Sequence, residues 1–137
     1  MSETLTQFGT SFQSKIIASL MSDIKFVQTI SDILEPDMFD SDSNKWLVKS
    51  IRDYYYEYKK QPTLEVVKYK VDEIDNDVLK TGVVDKLREV WKNVEATDLE
   101  FVQSETLDFC KNQTLKNAIL ESVNMLENKN YDGIKNI

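Results

Sequence analysis

Apolar side chains recur at three- and four-residue intervals along almost the whole sequence. No stretch alternates apolar with polar residues for long enough to make a strand. The clearest case is SDSNKWLVKSIRDYYYEY (41–58). There Leu47, Ile51 and Tyr55 follow one another at single-turn spacing, flanked by Trp46, Tyr54 and Tyr58. On a helix these residues form one wide apolar face. With 3 Gly and 2 Pro in 137 residues, the chain has few points at which to turn. Long regular elements follow, and the predicted fold class is all-α.

Turn and cap residues divide the pattern into six helices. Thr10 or Ser11 is placed to cap a first helix that buries Phe12, Ile16, Ile17 and Leu20. Asp23 opens a second, with Phe26, Val27, Ile30, Ile33 and Leu34, and Pro36 stops it. A third runs from Asp42 to Lys60, with Ser41 as its cap, and Pro62 ends it. Phe39, just before that cap, is placed to fold back as a hydrophobic staple. Thr63 caps a fourth, with Val66, Val67, Val71 and Ile74. The polar break DEIDND (72–77) leads to a fifth, with Val83, Val84, Leu87, Val90, Trp91 and Val94. Thr97 or Asp98 caps a sixth that reaches Asn128 and carries Phe101, Val102, Phe109, Leu115, Ile119, Met125 and Leu126. At about 1.5 Å per residue the sixth is about 45 Å long, too long to pack only within a domain this small. The expected organisation is a compact bundle of short helices over residues 1–96. Residues 97–137 form the long helix and the start of a hairpin, whose second arm opens with Ile134 and Ile137.

The formal net charge is -7. Nucleic-acid binding needs Lys and Arg for the phosphates, so such a domain contributes little direct contact to DNA or RNA. The one basic segment, residues 41–60, holds five bases against three acids. Cys110 is the only cysteine, which excludes an intrachain disulfide and fits a reducing, cytoplasmic setting. No apolar run approaches the roughly 20 residues that span a bilayer, so no membrane partner is expected.

Most catalytic arrangements lack their residues here. There is no His, which removes Ser-His-Asp and Cys-His catalysis and most zinc sites. Cys110 lies on the inner face of the sixth helix and reads as a small core residue. Gly9, Gly82 and Gly133 are isolated, so the chain carries no nucleotide-binding loop. Two acidic stretches are candidates for a calcium loop, which needs Gly at its sixth position and Glu at its twelfth. Counting from Asp40 puts Lys45 and Ile51 there; counting from Asp72 puts Asp77 and Val83 there. Both fail. Asp72 and Asp75 as a Mg²⁺ pair are weighed against a solvated acidic turn, which is the better reading. No catalytic, metal or nucleotide-binding residue is therefore assigned. Tyr56, beside Lys59 and Lys60, is the candidate partner surface. A protein contact is favoured there over base stacking.

Several weak motifs in a fixed order carry a family resemblance. KIIASLMSD (15–23) makes a short apolar helix, and ILEPDMF (33–39) carries a leucine-x-proline step followed by Phe39. The capped helix 41–58 comes next, then the proline connector KKQPT (59–63) and a helix at LEVV (64–67). In this, residues 17–67 resemble the N-terminal domain of DnaB-family replicative DNA helicases, especially those of T-even-type bacteriophages. Two departures favour the phage branch: Lys60 stands where bacterial members have Gly, and KNQTLK (111–116) where they carry Arg-Glu pairs.

The resemblance implies a non-catalytic domain that forms the collar of a hexameric ring, often as a trimer of dimers, and helps recruit the primase during DNA replication. It also implies a linker and a RecA-like ATPase domain beyond the hairpin. That absent domain would hold the ATP and Mg²⁺; this chain takes no cofactor. The expected location is the cytoplasm, that of the bacterial host for a phage protein. Phe109, Leu115, Ile119 and Leu126 on the long helix are the expected self-interface. Two other readings compete. One is a free-standing phage helical adaptor or helicase loader. The other is a carboxylate-metal enzyme, which lacks His and a paired-carboxylate motif.

Overall fold

A computed structural model describes residues 4–128. Six α-helices and two short 3₁₀ turns account for the regular structure of those residues, and none is in a strand. After a 3₁₀ turn at Leu5–Phe8 come α1 (Thr10–Ser22) and α2 (Ile24–Ile30). A second 3₁₀ turn, Pro36–Met38, leads into α3 (Asp42–Tyr58), α4 (Leu64–Asp72), α5 (Asp77–Lys92) and α6 (Leu99–Glu127). The all-α architecture and the long final helix are as expected. The second hairpin arm, with Ile134 and Ile137, lies outside the described residues.

Helix starts follow side-chain chemistry. Asp23 accepts from the backbone N–H groups of Lys25 and Phe26, and Ser41 Oγ accepts from Asn44 at 3.1 Å. Thr63 caps α4 through Val66, and Asn76 caps α5 through Leu79. Each cap satisfies a donor that the helix leaves unpaired, worth about 1 kcal/mol. Two starts differ from expectation. Gly9, not Thr10 or Ser11, precedes α1, because the turn from the first 3₁₀ segment requires φ = +88° there. Asp98 precedes α6 but makes no cap bond, because its carboxylate reaches Lys15 Nζ on α1 at 2.7 Å. Asp98 has its pKa lowered chiefly by that hydrogen bond.

α1 is the central helix. It packs against α2, α3, α5, α6 and the first 3₁₀ turn. It therefore buries Gln13, Ser14 and the whole run from Ile16 to Met21, not the single face that its spacing predicts. α2 also departs: it ends at Ile30, short of Pro36. Leu34 turns into the core there, and its carbonyl accepts from Arg52 Nη1 at 3.0 Å. Pro36 instead starts the second 3₁₀ turn, after which Phe39 is buried in the core.

α3 crosses α5 closely at Gly82, where a Cβ would meet Ser43 Oγ at 2.5 Å. α3 buries Asn44, Leu47, Val48 and Ile51, so its core stripe is its first half. Tyr54 and Tyr55 are half-buried and Tyr58 is exposed. α6 adds Val102, Phe109 and Cys110 to the same core. Residues 97–113 therefore pack with the head, and only the part of α6 after Gln113 projects from it.

Candidate functional site

The projecting part of α6 is the clearest unpartnered surface. From residue 114 to 127 no side chain is buried, a span of about 21 Å at 1.5 Å per residue. Leu115, Ile119, Ser122 and Leu126 fall four, three and four residues apart, the seam spacing of paired helices. Leu115 is 61 % exposed, Ile119 55 % and Leu126 52 %. Three of the four expected self-interface residues thus share one open face.

Phe109, the fourth, does not belong there. It is only 6 % exposed and meets the Phe8 ring edge-on, with centroids 5.9 Å apart. Phe8 in turn stacks on Phe12, so Phe109 locks α6 to α1 through the first 3₁₀ turn. Leu115 lies six residues further on, about one and two-thirds turns, which places the two about 120° apart around the helix and on different faces.

Tyr56, Lys59 and Lys60 lie together at the end of α3. The Tyr55 and Tyr56 rings are 6.1 Å apart, and Lys59 Nζ sits 5.9 Å from the Tyr55 centroid. Lys60 is exposed beside them. Tyr56 is more constrained than a free stacking platform. Its hydroxyl donates to the Ser31 carbonyl at 2.9 Å and to Asp32 at 3.2 Å, and Arg52 lies 5.8 Å from its ring centroid. Burial, together with the bond to Asp32, pushes the phenol above its ordinary pKa. Lys59 adopts the left-handed conformation at the helix end, with φ = 59°.

The acidic loop at 40–44 is organised as a structural clamp. Asp40 accepts from the Thr6 hydroxyl and, at 2.8 Å, from Gln13 Nε2. These bonds, first that from Thr6 and then that from Gln13, hold its carboxyl below the usual range. Among the described residues no cluster of three or more His, Cys, Asp or Glu stands where it could hold a metal ion. No described helix is long and apolar enough to cross a membrane.

A further surface was not foreseen from sequence. α4 packs on α5 and leaves a groove between them, floored by Leu64, Val71, Val84, Leu87 and Trp91. Trp91, one of the apolar positions of the α5 stripe, is 44 % exposed. The signal was the width of that stripe: Val83, Val84, Leu87, Val90, Trp91 and Val94 cover more of the helix than its neighbours bury. Compared with known proteins, the chain matches no family model, no curated protein and no solved structure.

Proposed function

We propose that this chain is a non-catalytic assembly and docking domain, of the kind that forms the collar of a hexameric replicative helicase and helps recruit the primase. The observation that carries the reading is the projecting half of α6, whose apolar seam faces outward on a helix already anchored by Phe109 and Cys110. A soluble chain gains nothing from presenting three half-exposed aliphatic side chains in register unless another surface covers them. A second copy of the same helix matches that spacing. The Tyr56, Lys59 and Lys60 cluster is the candidate surface for a protein partner.

The magnitude sets what to expect of the isolated chain. Full burial of one Leu or Ile side chain is worth about 1.5–3 kcal/mol. These three are already half covered, so each offers about 1 kcal/mol, or about 6 kcal/mol for a symmetric pair. Association costs about 4–15 kcal/mol. Pairing through this seam alone is therefore weak and concentration-dependent. Sedimentation velocity over a wide concentration range tests it. The expected result is reversible association that is lost in Ile119→Asp/Leu126→Asp with helical content unchanged. A strict monomer at the highest attainable concentration, or association that ignores the double substitution, counts against the reading.

A further inference from the structure

The groove between α4 and α5 has a second property besides its apolar floor. Its rim carries Lys68, Arg88 and Lys92 against a single carboxylate, Asp72. On a chain of net charge -7 this is a local reversal of sign. The cations are available. Lys68 and Lys92 enter no ion pair among the described residues. Arg88 has only Asp85, at 3.9 Å with both side chains mostly exposed, a geometry worth little. The deepest floor residues, Val71 and Leu87, are buried, while Trp91 stands at the edge with nearly half its surface open.

We propose that this groove docks an amphipathic helix of a partner protein, with apolar anchors on the floor and acidic residues against the basic rim. The chemistry of the lining selects that occupant. It holds no hydroxyl or amide side chain, so a small polar ligand would find no oriented partners. An apolar strip between two packed helices suits anchors at i, i+3, i+4 and i+7 of a guest helix. A half-exposed Trp beside Arg and Lys is the residue type that dominates binding at such surfaces. Three cations on the rim reject a basic guest and favour an acidic one. The proposal stands apart from the collar reading, since it needs neither a ring nor the α6 seam.

The test uses the whole chain labelled with ¹⁵N and two synthetic helical peptides of about 18 residues, long enough to hold a helix. The peptides share their Leu positions; one carries Glu on the flanks and the other Lys. The expected result is that the Glu peptide shifts the Trp91 indole N–H and the amides of α4 and α5, more weakly as salt is raised. Arg88→Glu/Lys92→Glu is expected to weaken this at least about tenfold, with Lys68→Glu as an independent second variant. All three positions are exposed, so the variants keep the fold. Equal binding of both peptides, no binding of the Glu peptide, or shifts confined to α6 would overturn the proposal. Concentration-dependent shifts at Trp91 without peptide would assign the groove to a second copy and overturn it equally.

Discussion

Replacing Gln13 with Ala tests whether one buried polar side chain holds the N-terminal turn, α1 and α3 together. Gln13 is fully buried in the central helix. Its Nε2 donates to the Leu5 carbonyl at 3.3 Å and to Asp40 at 2.8 Å. Its Oε1 accepts from the Asp40 backbone N–H at 3.1 Å and from Asn44 Nδ2 at 3.4 Å. Every hydrogen-bonding position of the amide is used. The bonds are unequal. The two to Asp40 are short and one is charge-assisted, so together they are worth about 2 kcal/mol after allowance for the exposure of Asp40. The two longer ones add about 1 kcal/mol. Asn44 is itself buried and its Oδ1 already lacks a partner, so losing Gln13 would strand its whole amide. The expected loss for Gln13→Ala is about 3 kcal/mol, a large share of the 5–15 kcal/mol typical of a domain. Urea unfolding followed by far-UV circular dichroism measures it, with an unchanged slope showing that only stability moved. Gln13→Glu is the chemical control. It keeps the shape but removes both donors and sets a second carboxylate against Asp40. Its defect is therefore greatest at neutral pH and shrinks on acidification. A loss below about 1 kcal/mol for Gln13→Ala, or a Glu variant with no pH dependence, would refute the network as a source of stability.

Three other outcomes follow from single residues. Lys59 ends α3 in the left-handed conformation, so Lys59→Gly should stabilise the chain by about 1 kcal/mol; a lower midpoint in the same urea assay would contradict this. Ser19 Oγ is buried with no hydrogen-bond partner, so Ser19→Ala should be neutral or stabilising by up to about 1 kcal/mol, and clear destabilisation would mean the hydroxyl is used. Burial pushes the Cys110 thiol from 9.0 to about 12. Because the folded state disfavours the thiolate, this contribution to stability is complete below pH 9.0 and is lost as pH rises toward about 12. Near neutral pH a disulfide reagent should label Cys110 only through opening of the fold, at a rate that rises with urea. Immediate labelling of the native chain would place the thiol at the surface.

The long helix was legible because its evidence is local. Residues 99–127 hold neither Gly nor Pro and keep helical spacing throughout, which needs no knowledge of neighbours. The caps at Asp23, Ser41 and Thr63 are local in the same way, since each bonds a backbone group two or three residues ahead. Phe109 was misplaced for the opposite reason. It is a large apolar residue on the same helix as the seam, and only its contact with Phe8, more than a hundred residues earlier, shows that it serves the core.

The sequence by itself determined that this chain is helical, where most helices begin, and that its last helix outruns the body. Spacing, capping and the scarcity of Gly and Pro act within a few residues of the position they control. Only the tertiary structure decided which apolar faces are covered. It made α1 a helix buried on nearly every side, released the tyrosine end of α3 to solvent and left the α4–α5 groove open. It also set Asp40, whose loop the spacing had already excluded as a calcium site, against Gln13 and Thr6 as their acceptor. Burial depends on what packs opposite, and that partner lies tens of residues away in the chain.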